Sequence, residues 1–224
     1  MEAGLFVEEA NRLGLSLSES QIASFLEFEE ALYRANEVMN LTRVPVEDCW
    51  VRHFLDSLLM HDLLPQSTRV LDIGCGPGFP SWPLACARPD LDVTGLDSNG
   101  KMIGFLQQHR LPNLEAVLYR AEEWRPGKPF DVVTGRAVAP LAAQLEVSAR
   151  PCGLGGKVIP MRGASDRETL AAIDIEPLGL RLVDVIERVL PRADAVRLFP
   201  IYEKVAKTKP GYPRRWAEIK ARPL

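Results

Sequence analysis

Three glycines spaced two apart, Gly74, Gly76 and Gly78, follow the short apolar run Val70-Leu71-Asp72-Ile73. A buried strand passing into a tight turn before a helix has this form, and glycine lets a ligand approach the backbone closely. The next strand-like run, Leu91 to Leu96, ends in Asp97. A carboxylate there is placed to accept hydrogen bonds from ribose hydroxyls. The glycine spacing is not the G-x-G-x-x-G that seats a pyrophosphate on a helix N-terminus, and Asp72 just ahead of the turn would repel one. An acidic group suits the ammonium of an amino-acid-like ligand instead. S-adenosylmethionine joins adenine, ribose, a sulfonium and an amino-acid tail, and it is the ligand this pattern fits best. A dinucleotide site and a purely structural turn are the other readings of the same glycines.

Further residues bear on the acceptor. Arg136 closes the fourth strand-like run, where its guanidinium can bind the cofactor region, a guanine edge or a phosphate, or form a salt bridge with Asp131 or Glu122. Thr134-Gly135-Arg136-Ala137-Val138 stands where exocyclic-amine methyltransferases carry an N/D-P-P-Y/F motif, which disfavours an amine target. Pro151-Cys152 resembles the nucleophile pair of cytosine C5 methylation but follows a helix, so it reads as chance. His53 and Asp56 lie three apart on an expected helix and share its face. They form either a solvated pair or, with Arg52, part of a site mouth contacting phosphate or base.

The elements that must position these residues follow from periodicity. Helices are expected at 5–14 and 18–38, the second with apolar Ile22, Phe25, Leu26, Leu32 and Tyr33 at helical spacing and a Ser18/Gln21 capping box. A third runs from about Val46 to Leu64. Strands at 69–73, 91–96, 114–118, 130–135 and 156–161 then alternate with helices at 80–87, 99–109 and 138–149. The expectation is an α/β, Rossmann-like, mostly parallel sheet with an N-terminal helical extension at 1–64 and the main unit at 65–224. Segments 182–189 and 196–206 read as a final β pair. Right-handed crossovers would gather the glycine turn, Asp97, Glu122 and Arg136 at the carboxyl ends of the strands.

With 46% hydrophobic and 25% charged residues, the composition is that of an ordinary globular protein. No signal peptide and no membrane span are read, and a cytoplasmic location is expected. The cysteines Cys49, Cys75, Cys86 and Cys152 lack metal-ligand spacing, so no metal site is expected. The formal net charge of −3 excludes a globally basic nucleic-acid binder. Charge nevertheless segregates. Residues 1–30 hold seven glutamates against Arg12, whereas residues 202–224 hold seven Lys and Arg against Glu203 and Glu218. Local patches are therefore the candidates for RNA contact: Arg162, Lys204, Lys207, Arg214 and Arg215, with Arg52 and His53 on the opposite rim. Tyr212 and Trp216 lie among the tail charges as candidates to stack on unpaired bases.

Together these motifs resemble a known family, the bacterial 16S rRNA guanine-N7 methyltransferases of the G type, also called glucose-inhibited division protein B. Asn40-Leu41-Thr42-Arg43, His53-Phe54-Leu55-Asp56-Ser57-Leu58 and the Asp72 to Pro80 turn carry the resemblance. Asp97-Ser98 with Lys101, Arg120-Ala121-Glu122, Arg136-Ala137, Arg162-Gly163 and Tyr212-Pro213-Arg214 extend it over nearly the whole chain. The resemblance implies a class I S-adenosylmethionine-dependent methyltransferase making 7-methylguanosine in the 530 loop of 16S rRNA, with the small ribosomal subunit or its assembly intermediate as partner and a monomer as the working unit. It implies cofactor contacts at Gly74, Phe79, Asp97, Ala121, Glu122 and Arg136, with Ser98 and Asn99 following Asp97. Two positions depart from the family pattern: Ser81 replaces a usual glycine, and Ala217-Glu218-Ile219 replaces a G-x-P. A small-molecule methyltransferase and a non-catalytic binding protein are the alternatives.

Overall fold

In the computed structural model, which describes residues 1–170 and 172–224, two helices open the chain, α1 (Ala3–Arg12) and α2 (Glu19–Met39). The expected capping box starts α2, with the Ser18 hydroxyl accepting from the Gln21 amide and the Gln21 side chain accepting from the Ser18 amide. Asn40 ends it in the left-handed conformation at φ 55°. Its buried face is Phe25, Phe28, Glu29 and Leu32, and Leu26 is exposed. Phe28 stacks on Trp82 at 4.0 Å, and Phe25 meets Trp82 and Phe54 edge-on. These rings join the N-terminal helices and one face of the sheet in a single apolar cluster.

The expected helix at 46–64 is helical but broken. A 3-10 turn (Val46–Asp48) leads into a π-helical stretch (Trp50–Leu55), a short α3 (Asp56–Leu58) and a second 3-10 turn (His61–Leu63). Apolar spacing cannot tell these windings apart. The wider π winding is a form found mostly at functional sites.

The sheet has seven strands: β1 (Arg69–Ile73), β2 (Asp92–Asp97), β3 (Leu114–Leu118), β4 (Phe130–Arg136), β5 (Cys152–Gly163), β6 (Leu180–Val189) and β7 (Val196–Lys204). Their order is β3-β2-β1-β4-β5-β7-β6. The first five run parallel, and β7 is antiparallel to β5 and β6. Helices α4 (Ser81–Ala87), α5 (Gly100–Gln108) and α6 (Leu141–Ala149) connect the parallel strands. Cover on both faces explains why Val70 to Ile73 are all buried. The edge strand β6 exposes the charged Arg181, Asp184 and Glu187, which discourages edge pairing. The reversal of strand order beside β1 opens a crevice at the carboxyl ends, where open α/β sheets bind ligands. A last helix, α7 (Trp216–Ala221), forms where only a basic tail was expected. Ala217-Glu218-Ile219 are helix-compatible residues, and Ile219 is fully buried.

Candidate active site

A cavity of about 300 Å³ occupies that crevice. Gly74, Asp97, Ser98, Ala121 and Glu122, all expected at a cofactor, line it. The glycine turn is anchored to the neighbouring strand by the Gly74 and Cys75 amides, which donate to the Leu96 carbonyl at 2.7 and 3.2 Å. Gly74 has φ 69°, and a Cβ there would stand 2.8 Å from a Val138 methyl, so the turn and the loop after β4 touch. Asp97 is held on both oxygens, accepting from the Gly76 amide at 2.9 Å and the Asn99 amide at 2.8 Å. Each oxygen keeps a lone pair for a hydroxyl. Ile73, Leu96, Val138, Val147 and Trp216 give apolar walls.

Other expected cofactor residues sit behind this cavity. Asn99 caps α5, accepting from the Lys101 amide at 3.0 Å. Asp72 is fully buried and accepts from the Ser81 amide at the start of α4 at 2.9 Å, while its other oxygen has no partner. Burial raises its pKa to about 7, against the Ser81 hydrogen bond that lowers it. It therefore fastens the turn to α4 from below and does not line the cavity. Gly78, at φ 127°, lies against Leu106 and Trp82. Phe79 is buried and stacks on the His53 ring at 4.1 Å, the planes 4° apart.

Arg136 is the hub of a second cluster. Its Nη1 donates to the Arg52 carbonyl at 2.9 Å and to Asp56 at 3.0 Å, its Nη2 to His53 Nδ1 at 3.0 Å, and its guanidinium lies 5.4 Å from the Phe79 ring centroid. The salt-bridge partner is Asp56, in place of the expected Asp131 or Glu122. Arg197 donates to the same carboxylate at 2.7 Å, so Asp56, 2% exposed, lies between two guanidiniums. His53 is buried and neutral. Burial first, then the Arg136 and Arg52 charges, lower its pKa to about 3. An arginine can only donate, so Nδ1 is the acceptor and Nε2 carries the proton, which it gives to Thr42 Oγ1 at 2.7 Å. The two side chains are thus joined through Arg136 inside the protein and do not form a solvated pair. Thr42 gives the Asn40-Leu41-Thr42-Arg43 segment a physical role that spacing did not reveal.

A second cavity, about 500 Å³, opens over this cluster and is lined by Arg52, His53, Asp56, Arg136, Arg162 and Arg197 among others. It shares Ala137 with the first, a non-glycine residue at φ 53°. Residues 137–139 form the partition, braced from behind. Arg162, 9% exposed, donates to the Ala139 carbonyl and Gln144 at 2.9 Å each and to Asp166 at 2.8 Å. Its charge is largely consumed there.

The expected RNA-binding residues of the C-terminal part fall in three places. Arg214 is clamped onto α6, its Nη2 2.5 Å from the fully buried Glu146, which also accepts the Arg214 amide at 2.8 Å. Tyr212 packs beside that guanidinium, 5.5 Å from it. This docking sets Trp216 in the wall of the first cavity, where sequence reasoning had placed it among RNA-stacking residues. Arg215 is exposed and pairs with Glu218 at 2.9 Å. Lys204 and Lys207 line a cavity at the other end of the sheet, near Cys152 at the start of β5. The Cys152 thiol is buried there and its pKa pushed up to about 12, which removes it from nucleophilic roles.

The sequence model of the family described as rRNA small subunit methyltransferase G matches residues 21–185. The chain belongs to that family. A ribosomal RNA small subunit methyltransferase G of Lactobacillus delbrueckii subsp. bulgaricus is 34% identical with both chains covered in full. Another from Alkalilimnicola ehrlichii is 40% identical over 76% of this chain and 78% of its own. Among solved structures, a SAM-dependent methyltransferase from Aquifex aeolicus aligns with TM-score 0.55 at 15% identity, covering 76% of this chain and 97% of that one, a likeness of fold. The cofactor is S-adenosylmethionine. The first cavity fits it: the carboxylates of Asp97 and Glu122 are acceptors of the kind ribose hydroxyls need, the apolar walls suit an adenine, and among the described lining residues Arg120 is the single cation.

Proposed function

We propose that this family member methylates N7 of a guanine in the 530 loop of 16S rRNA, at the guanosine 527 type of site, with the first cavity holding S-adenosylmethionine and the second receiving the base. The observation that carries the reading is the meeting of an acidic, apolar cavity with an arginine-lined one across a single residue, Ala137. The bound cofactor supplies a methyl group already activated on a sulfonium. The protein then has to place the acceptor at attack distance and in line.

Guanine N7 has a free lone pair and needs no general base. That agrees with the second cavity, where His53 bonds through both ring nitrogens, Asp56 holds two arginines, and one oxygen of Asp166 holds Arg162. Three of the five N–H groups of Arg136 are taken within the protein. The other two are donors for the guanine O6 or a flanking phosphate, which makes Arg136 the residue that positions the base. Arg52 and Arg43, exposed beside this cavity, are the RNA-facing cations, and Arg215 and Arg120 flank the cofactor side.

On this reading the protein works in the cytoplasm, as a monomer, on the small subunit or its assembly intermediate, with 1–64 as an extension packed on a methyltransferase unit of 65–224. Nucleoside mass spectrometry of 16S rRNA from a strain lacking the protein tests it. Loss of a single 7-methylguanosine relative to the parent, restored by the wild-type chain and not by Arg136→Ala, is the expected result. An unchanged nucleoside profile overturns it.

A further inference from the structure

The cavity at the far end of the sheet has no part in the site above. It measures about 410 Å³ and is lined by Arg150, Lys204, Lys207, Thr208, Lys209 and Tyr212 among others. Phe130 pairs with Cys152 and Arg136 with Met161, so this end is six residues of β4 below the acceptor cavity. At a strand rise of about 3.3 Å per residue that is about 20 Å.

Its floor is a buried cation without a counter-charge. Lys204 is 4% exposed, and among the described residues no carboxylate lies within ion-pair distance of its ammonium. The ammonium donates to the Leu178 carbonyl at 2.5 Å and to the Thr208 hydroxyl, whose own proton goes to Leu178 at 3.2 Å. One of its three N–H groups is left over. Burial lowers its pKa to about 8, so it is still charged at neutral pH. Arg150 and Lys207 are exposed on the wall and make no ion pair among the described residues. Lys209 is paired with Glu176 at 2.5 Å. Three uncompensated cations around one cavity, in a chain whose formal net charge is −3, form a local anion trap. A buried charge is costly unless paired, and an anion in this cavity would pair it.

We propose that this cavity is a phosphate-binding site, occupied by a backbone phosphate of the RNA substrate and acting as a second anchor remote from the methylated base. The phosphate chemistry follows from the cavity alone; its assignment to RNA rests on the function proposed above. Lysine ammoniums bind phosphate as point charges and need no base identity, so the anchor adds affinity and register without sequence preference.

Inorganic phosphate titrated into the isotope-labelled full-length protein tests the site, followed by NMR at the Lys204 side chain and the Thr208 and Gly211 amides. Saturable shifts, absent in Lys204→Met, are expected; no saturable shift overturns the proposal. Because Lys204→Met removes a buried group, the exposed pair Arg150→Gln/Lys207→Gln serves as a second variant, with phosphate affinity expected to fall about tenfold. The RNA arm uses the same double variant on small subunits. Weaker binding, with the slope of log affinity against log salt reduced by about 2, assigns the phosphate to the RNA backbone. Phosphate shifts with unaltered RNA binding keep the site for a free phosphate and overturn its RNA role. Failure of the wild-type protein to methylate rRNA would sink the function reading while leaving the phosphate arm intact.

Discussion

Asp56 shows how much of the acceptor site is decided by individual hydrogen bonds. Its carboxylate satisfies Arg136 and Arg197 together, and Arg136 in turn depends on His53 being unprotonated at Nδ1. The cluster is therefore acid-sensitive. An unfolded histidine titrates near ~6.5, whereas burial and the two arginine charges hold folded His53 at about 3. Between those values the unfolded chain takes up a proton that the folded chain refuses. The stability contributed by neutral His53 is present above about pH 6.5 and is lost as pH falls toward about 3. Urea midpoints from pH 7.5 to 4.5 should fall more steeply for the wild type than for His53→Gln. At pH 7.5 the variant should be less stable by about 1–2 kcal/mol, having lost its ring stacking and one or both hydrogen bonds. Parallel curves would show that His53 titrates freely and that the tautomer assignment is wrong.

Among the elements, the parallel strands were legible because a strand buried on both faces reads as a short apolar run ended by glycine or a carboxylate. Val70 to Ile73 before the glycines and Leu91 to Asp97 are such runs; Gly74, Asp97 and Glu122 line one cavity, whereas Arg136, expected with them, lines the neighbouring one. Two elements were hidden for physical reasons. The π-helical turn at Trp50–Leu55 keeps an apolar face that an α-helix would also have, and the contacts of His53 and Asp56 with Arg136 span 83 and 80 residues, beyond the reach of any local pattern. Helix α7, six residues long, is too short to declare itself by periodicity. It is held by Glu146, a charged residue inside α6 whose burial no local pattern signals. Glu146→Ala should therefore release α7 and withdraw Trp216 from the cofactor cavity. Hydrogen exchange is expected to rise across residues 212–222, and S-adenosylmethionine affinity by calorimetry to fall about tenfold, the worth of ~1.4 kcal/mol. Unchanged protection in that segment would mean that the helix is held by Ile219 and Trp216 alone.

At the scale of the whole molecule, a net negative protein that acts on RNA must keep its acidic surface away from the substrate. The glutamates of α1 and α2 lie on the N-terminal extension. Exposed arginines gather around the two cavities: Arg43 and Arg52 beside the acceptor cavity, and Arg120, Arg125 and Arg215 beside the cofactor cavity. Among the described residues Arg125 donates only to the carbonyls of Glu122 and Trp124, and Arg52 meets Asp48 only at 3.7 Å, so both charges face outward largely uncompensated. Surface ion pairs of that kind contribute little to folding, which makes these positions suitable for testing binding apart from stability. Arg52→Gln/Arg125→Gln should bind small subunits about tenfold more weakly at low salt, with the slope of log affinity against log salt smaller by about 1 to 2. Thermal stability and S-adenosylmethionine affinity should stay near wild-type values, since neither side chain supports the partition or the glycine turn. A salt slope equal to that of the wild type would place the RNA on another face and leave the arginine-lined cavity without its proposed substrate.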